Sequence, residues 1–338
     1  MNINGKTIFF DTPPVITGSA GVVGKKEGEG PLNKEFDEIY QDVTMGEDSW
    51  EKADRLMLKN AVTKALSKAN VSATEVDGIF TGDLLDQCIG SVFALRDFGI
   101  AYGGLYGACS TMALSMLVAS LMIETGGFDC TVAGTSSHFC SAEKQFRQPL
   151  EYGGQRTPTS QWTVTGSGAV VLKDTNSTAN AYIDKVHLGT IQDYDITDAN
   201  NMGAAMAPAA CKTINDFLTD TNTKPSDYDL ILTGDLGFVG SELLLQLLMR
   251  EHSIDISSVH NDCGMIIFDR EQQDVHAGGS GCGCSAVVLC SHILNKLRSG
   301  ELKNVLFVAT GALMSPVSSL QGQSIPGIAH AILIKGGK

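Results

Sequence analysis

The residue most able to do chemistry is Cys109, within Gly107-Ala108-Cys109-Ser110-Thr111-Met112-Ala113-Leu114-Ser115-Met116. Small residues make a tight turn there, and an apolar run free of Pro and Gly follows from Met112 to Ile123, stopped by Gly126-Gly127. This places a cysteine on a turn that feeds a buried helix, whose free N–H groups and positive end favour thiolate at the sulfur. Buried cysteines are also common and inert, so the local sequence leaves open whether Cys109 reacts, faces a ligand or only packs. Its possible bases are the seven histidines, at 138, 187, 252, 260, 276, 292 and 330. His138 follows the strand-like Ala133-Gly134-Thr135-Ser136-Ser137, at the kind of strand end where α/β ligands sit. His276 opens a Gly-rich turn. His292 and His330 fall in core-like segments, and His252 ends a helix where positive charge suits the dipole.

The elements that must position these residues are a repeated set. Ser49 caps an expected helix to Ala69, and Asp77-Gly78-Ile79-Phe80-Thr81-Gly82-Asp83-Leu84 reads as a strand ending in a Gly-Asp turn. The strand pattern returns as Asp229-Leu230-Ile231-Leu232-Thr233-Gly234-Asp235-Leu236. A helix over Ala204 to Leu218 precedes it, with Pro208 near its start, where proline is tolerated. Gly107-Ala108-Cys109-Ser110 has its counterpart in Gly281-Cys282-Gly283-Cys284-Ser285, and Gly166 to Lys173 in Gly327 to Lys335. Strands alternating with helices, twice over, imply parallel sheets with right-handed crossovers. The expected fold is α/β with two pseudo-symmetric halves, 1–175 and 176–338.

Composition narrows the function. The chain has 338 residues, 43% hydrophobic, 37 glycines and two tryptophans, which fits a tightly turned α/β protein with a large core. A net charge of −14, from 38 acidic and 24 basic residues, argues against nucleic acid and anionic lipid as partners. No apolar run is long enough to span a membrane. Nine cysteines, an odd number, and an opening without an apolar leader core argue for a reducing compartment and free thiols. Neither Cys282-Gly283-Cys284 nor the Cys130/Cys140 pair has zinc-site spacing, so no metal or cofactor is expected. Cys140 to Arg147 reads as a polar linker or a partly helical cap. Arg147 and Arg156, flanking Tyr152-Gly153-Gly154, read as surface or dimer-interface residues, with the alternative that one reaches a ligand carboxylate.

Two related halves, a cysteine before a central helix and a Gly-rich turn at the matching place resemble the thiolase and ketoacyl-synthase superfamily over nearly the whole chain. Gly5-Lys6-Thr7-Ile8-Phe9-Phe10 with Pro13-Pro14-Val15-Ile16, the Cys109 turn, and Gly278 to Ser285 look more narrowly like the stage V sporulation protein AD family. That resemblance implies a layered, thiolase-like αβαβα fold and a homodimer joined through the first half's sheet. It also implies a non-enzymatic protein that binds dipicolinic acid or its calcium salt. Such a protein would be soluble and peripheral to the spore inner membrane, held there by the SpoVA membrane proteins. It would serve dipicolinate loading into the forespore and release at germination.

Condensing enzymes of the superfamily supply a His, or a His and an Asn, from turns of the second half. By the same resemblance those places hold Asp235 and Ser280, an anion that opposes an oxyanion and a poor base. The expected ligand pocket is Cys109, His138, Asp235, Ser280 and Cys282, with two helix N-termini offering N–H groups to carboxylates. Asp235 could instead position calcium or bond its own turn, and Asp83 occupies the matching turn of the first half. The other readings are a transferase that acylates Cys109, with His138 or His276 as base, and a scaffold with a vestigial pocket.

Overall fold

The computed structural model describes residues 1–146, 155–174, 176–177 and 181–337. Arg147 and Tyr152-Gly153-Gly154 lie outside them. The first half contributes strands β1 (Val15–Val23), β2 (Gly78–Asp83), β3 (Ala101–Gly104), β4 (Cys130–Ser137) and β5 (Gly166–Lys173). The second contributes β6 (Ala181–His187), β7 (Leu230–Thr233), β8 (His260–Asp262), β9 (Asn304–Ala312) and β10 (Gly327–Gly336). In space the orders are β3-β2-β4-β5-β1 and β8-β7-β9-β10-β6, the same arrangement twice. The halves meet at β1 and β6, where Val15 pairs with Tyr182.

The sheets are mixed rather than parallel. β2, β3 and β4 run parallel, as do β7, β8 and β9. β5 and β10 return antiparallel between their neighbours. An antiparallel return needs no right-handed crossover, so the alternation of helices and strands did not require these two strands to be parallel.

Helices α1 (Trp50–Ala69), α2 (Ile89–Leu95), α3 (Thr111–Glu124) and α4 (Phe139–Phe146) belong to the first half. α5 (Met202–Thr221), α6 (Gly237–His252) and α7 (Cys282–Val287, continued by a π-turn) belong to the second. α1 covers one outer face, burying Met57, Leu58, Ala61, Val62 and Ala65 on the first sheet. α5 covers the other with Met206, Ile214 and Phe217. The two match in their caps. Ser49 and Asn201 accept N-terminal N–H groups, and Asn70 and Asn222 end the helices at φ 54° and 51°. Pro208 lies beyond the first turn of α5, because the helix starts earlier than its pattern suggested, at Met202. α3 and α7 lie between the sheets, giving five layers. α3 is apolar on nearly all sides and buries Met112, Met116 and Ile123, as a central helix must.

Both halves start a strand with the same device. Asp77 Oδ2 accepts the N–H groups of Asp129 and Cys130 at 2.8 and 3.0 Å. Asp229 Oδ2 accepts those of Lys303 and Asn304 at 2.7 and 2.9 Å. Asp77→Ala and Asp229→Ala should each cost about 1–3 kcal/mol, with Asp→Asn costing less. Urea midpoints of the four variants check this, and a neutral Asp→Ala would deny the device its role.

Candidate functional site

The turn carrying Cys109 is held by its own hydroxyls. Ser110 Oγ donates to the Gly107 carbonyl and Thr111 Oγ1 to that of Ala108, both at 2.6 Å. Ala108 sits at φ 49°, a costly place for a residue with a Cβ, and thereby turns Cys109 toward the interface of the halves. Gly311 of β9 comes close behind: a Cβ there would fall 3.2 Å from the Cys109 nitrogen. These contacts place the sulfur at the head of the central helix, as its sequence predicted.

The thiolate expectation is overturned. Burial pushes the Cys109 thiol well above the ordinary thiol range, and the Asp235 carboxylate beside it adds to the shift. The thiol and that carboxyl lie close enough to act on each other's ionisation. Asp235 is fully buried, and burial followed by the nearby Asp262 charge pushes its carboxyl up to about 7. Its Oδ2 accepts from the Gly281 N–H and its Oδ1 from the Thr310 hydroxyl, both at 2.8 Å. Gly281, at φ 95°, gives its N–H to the site from a backbone conformation that suits glycine.

The twin turns have diverged in use. Asp83 bonds its own turn: Oδ1 takes the Leu85 N–H at 2.9 Å, and Oδ2 takes the N–H and hydroxyl of Ser91 at 2.6 Å. Gly237 is the repeat counterpart of Leu85, and its N–H goes to Asp262 Oδ1 at 2.9 Å. Asp262 also accepts from Leu236, Gly264 and Thr233. With Asp262 holding the turn, Asp235 is free to face Cys109.

A cleft of about 410 Å³, including its mouth, opens onto Cys109, with Asp235 buried behind its lining. Its walls include Tyr106, Glu143, Phe146, Met202 and Met314, with Cys109, Ser280 and Gly281 also lining it. Glu143 is buried and accepts the Thr163 hydroxyl at 2.9 Å. Of the two readings of this segment, the helical one holds over Phe139–Phe146: it is helix α4, and it presents Ala142, Glu143 and Phe146 to the cleft. Its amphipathic spacing was the signal, obscured by the charged residues among those positions.

Of the expected pocket residues, Cys109, Asp235 and Ser280 come together. Cys282 lies next to Gly281, but its thiol donates to the Ser136 carbonyl at 2.9 Å. His138 is a correction, because its ring is used up elsewhere. Nε2 donates to the Val43 carbonyl at 2.7 Å, and Nδ1 accepts the Cys140 N–H at 3.2 Å. Burial holds it below the usual histidine range, hence neutral. His276 pairs with Asp274 at 3.0 Å, and none of the seven histidines lines the cleft. Arg156 pairs with Asp274 at 2.9 Å and lies over the Trp162 ring at 4.7 Å. The site therefore holds a protonated thiol, a buried acid and aromatic and thioether walls, with no imidazole beside the sulfur.

The family model for stage V sporulation protein AD matches residues 4–335. Stage V sporulation protein AD of Bacillus subtilis is 43% identical over 336 residues, covering 99% of this chain and 98% of that protein. The chain belongs to the stage V sporulation protein AD family. Its fold is similar to that of 3-oxoacyl-[acyl-carrier-protein] synthase III from Aquifex aeolicus, with TM-score 0.57 and 14% identity over 95% of this chain and 99% of that one. Human mitochondrial 3-ketoacyl-CoA thiolase, solved with CoA, gives TM-score 0.60 and 14% identity over 98% of this chain and 100% of that one. At such identity the enzymes share only the fold. In this member of the family, the head of the central helix faces a carboxyl.

Proposed function

We propose that the chain binds dipicolinate, chiefly as its calcium salt, in the cleft beside Cys109, and performs no thioester chemistry. The observation that carries this reading is the pairing of Cys109 with Asp235. The thiol is held neutral, and no histidine lines the cleft to activate it as the superfamily's condensing enzymes do. Family membership is consistent with the ligand class that the sequence resemblance implies. The cleft supports it with an aromatic face at Phe146 and thioethers at Met202 and Met314, suited to a flat ring. Glu143 in the cleft wall and Asp235 behind Cys109 are acidic, which disfavours a free dianion and favours a ligand whose carboxylates are neutralised by calcium.

Calorimetric titration is expected to show saturable binding of dipicolinate with calcium, and weaker binding without it. Phe146→Ala should weaken binding about tenfold, through loss of a ring contact of about 1.4 kcal/mol. Affinity for the free dianion should fall as pH rises from 6 to 8, since Asp235 ionises near 7 and then repels it. No saturation with either form overturns the reading, and covalent labelling of Cys109 by an acyl-CoA would favour a transferase.

The homodimer belongs to the same proposal. β3 is an open sheet edge, and Ile89, Val92, Phe93, Tyr102 and Tyr106 are exposed along and beside it. This apolar edge supports self-association through the first half's sheet. No helix among the described residues is long and apolar enough to cross a membrane. Association with the spore inner membrane would therefore run through the SpoVA membrane proteins.

A further inference from the structure

Cys211 lies on α5, and Glu251 and His252 end α6, far from it in sequence. The fold brings one ligand atom of each within 4.8 Å of the others. Cys211 is buried, His252 half-buried and Glu251 at the surface. We propose that Cys211, Glu251 and His252 form a divalent-metal site best suited to zinc, tying α5 to the C-terminal end of α6.

The donor set selects the ion. A thiolate and an imidazole are poor ligands for calcium or magnesium, while zinc takes S, N and O ligands together at about 2.0–2.3 Å. Tetrahedral closure draws the three atoms nearer than they stand, and the movement falls to the two outer side chains. The position suits a cation, since the negative end of the α6 dipole lies there. Arg250 now occupies Glu251 at 2.9 Å, an exposed ion pair of small worth that metal displaces easily. Three protein ligands leave the fourth position to water.

Binding exchanges one proton for the metal. Zn²⁺ and the Cys211 thiol give a zinc thiolate and release H⁺ to solvent, with no change of oxidation state. Because the thiol must lose its proton to bind, affinity climbs with pH. Sequence spacing hid the site because its cysteine and histidine sit on different helices.

Cobalt(II) titration of the full chain, kept reduced with a phosphine, tests the proposal. One cobalt per chain is expected, with tetrahedral visible bands and a sulfur-to-cobalt charge-transfer band. Cys211→Ser should abolish the charge-transfer band, and Cys140→Ser should leave it. His252→Gln, at the helix end, should weaken binding more than about tenfold, the upper loss set by groups that only support a ligand being larger still. It carries the test if Cys211→Ser fails to fold. Zinc should compete the cobalt away. No cobalt bound, or a charge-transfer band that survives in Cys211→Ser, overturns the proposal, as does unchanged affinity in His252→Gln.

Discussion

Alkylation of Cys109 by iodoacetamide at pH 8 should accelerate at least about tenfold in Asp235→Asn, because thiolate fraction rises tenfold for each unit the thiol's pKa falls. Asp235 suppresses thiolate by its charge and its close approach to the thiol. Asparagine removes the charge and keeps an oxygen for the Gly281 N–H or the Thr310 hydroxyl. Burial remains the larger cause of the raised thiol, so the variant should not reach the reactivity of an activated nucleophile. Mass spectrometry of the Cys109 peptide reads the rate directly. Asp83→Asn is the control, since Asp83 bonds its own turn and Ser91 and should leave the rate alone. An unchanged or slower rate in Asp235→Asn would remove the acid from its assigned role.

The largest loss of stability is expected for Asp262→Ala. Its carboxylate accepts the N–H groups of Leu236, Gly237 and Gly264, each at 2.9 Å, and the Thr233 hydroxyl at 2.6 Å. All four bonds are buried, and each buried donor left without an acceptor costs about 1–3 kcal/mol. Allowing for relaxation around the gap, the total is at least about 3 kcal/mol. Asp262→Asn keeps one oxygen and should fall between. The sign with pH also follows. Burial pushes the Asp262 carboxyl up to about 6, above its unfolded value, so its contribution to stability is greatest in acid and declines as pH rises through 6. Urea unfolding at pH 5 and pH 8 measures both effects. An Asp262→Ala midpoint equal to the parent's would show that water satisfies those donors.

The sequence by itself determined the architecture, because the repeat is local information written twice. Asp77 and Asp229, the Gly-Asp turns, the capped helices and the Gly-Ala-Cys-Ser-Thr turn each specify short-range geometry, and the same elements stack in the same order in each half. It also located the turns that carry Cys109, Asp235 and Ser280, since each follows a strand or opens a helix whose ends were readable. What it did not determine was direction and partnership. β5 and β10 look like any other apolar run, and only their neighbours decide that they return antiparallel. Asp83 and Asp235 stand in the same local context, and only the presence of Asp262 across the turn lets one of them face the cysteine. The helix dipole at Cys109 was legible, but the opposing charge comes from the other half of the chain. His138 ends a β4 strand segment as expected, yet the Val43 carbonyl, distant in sequence, claims its ring. Spacing and propensity act over a few residues, whereas burial, charge pairing and ring orientation are set by whatever the fold brings alongside.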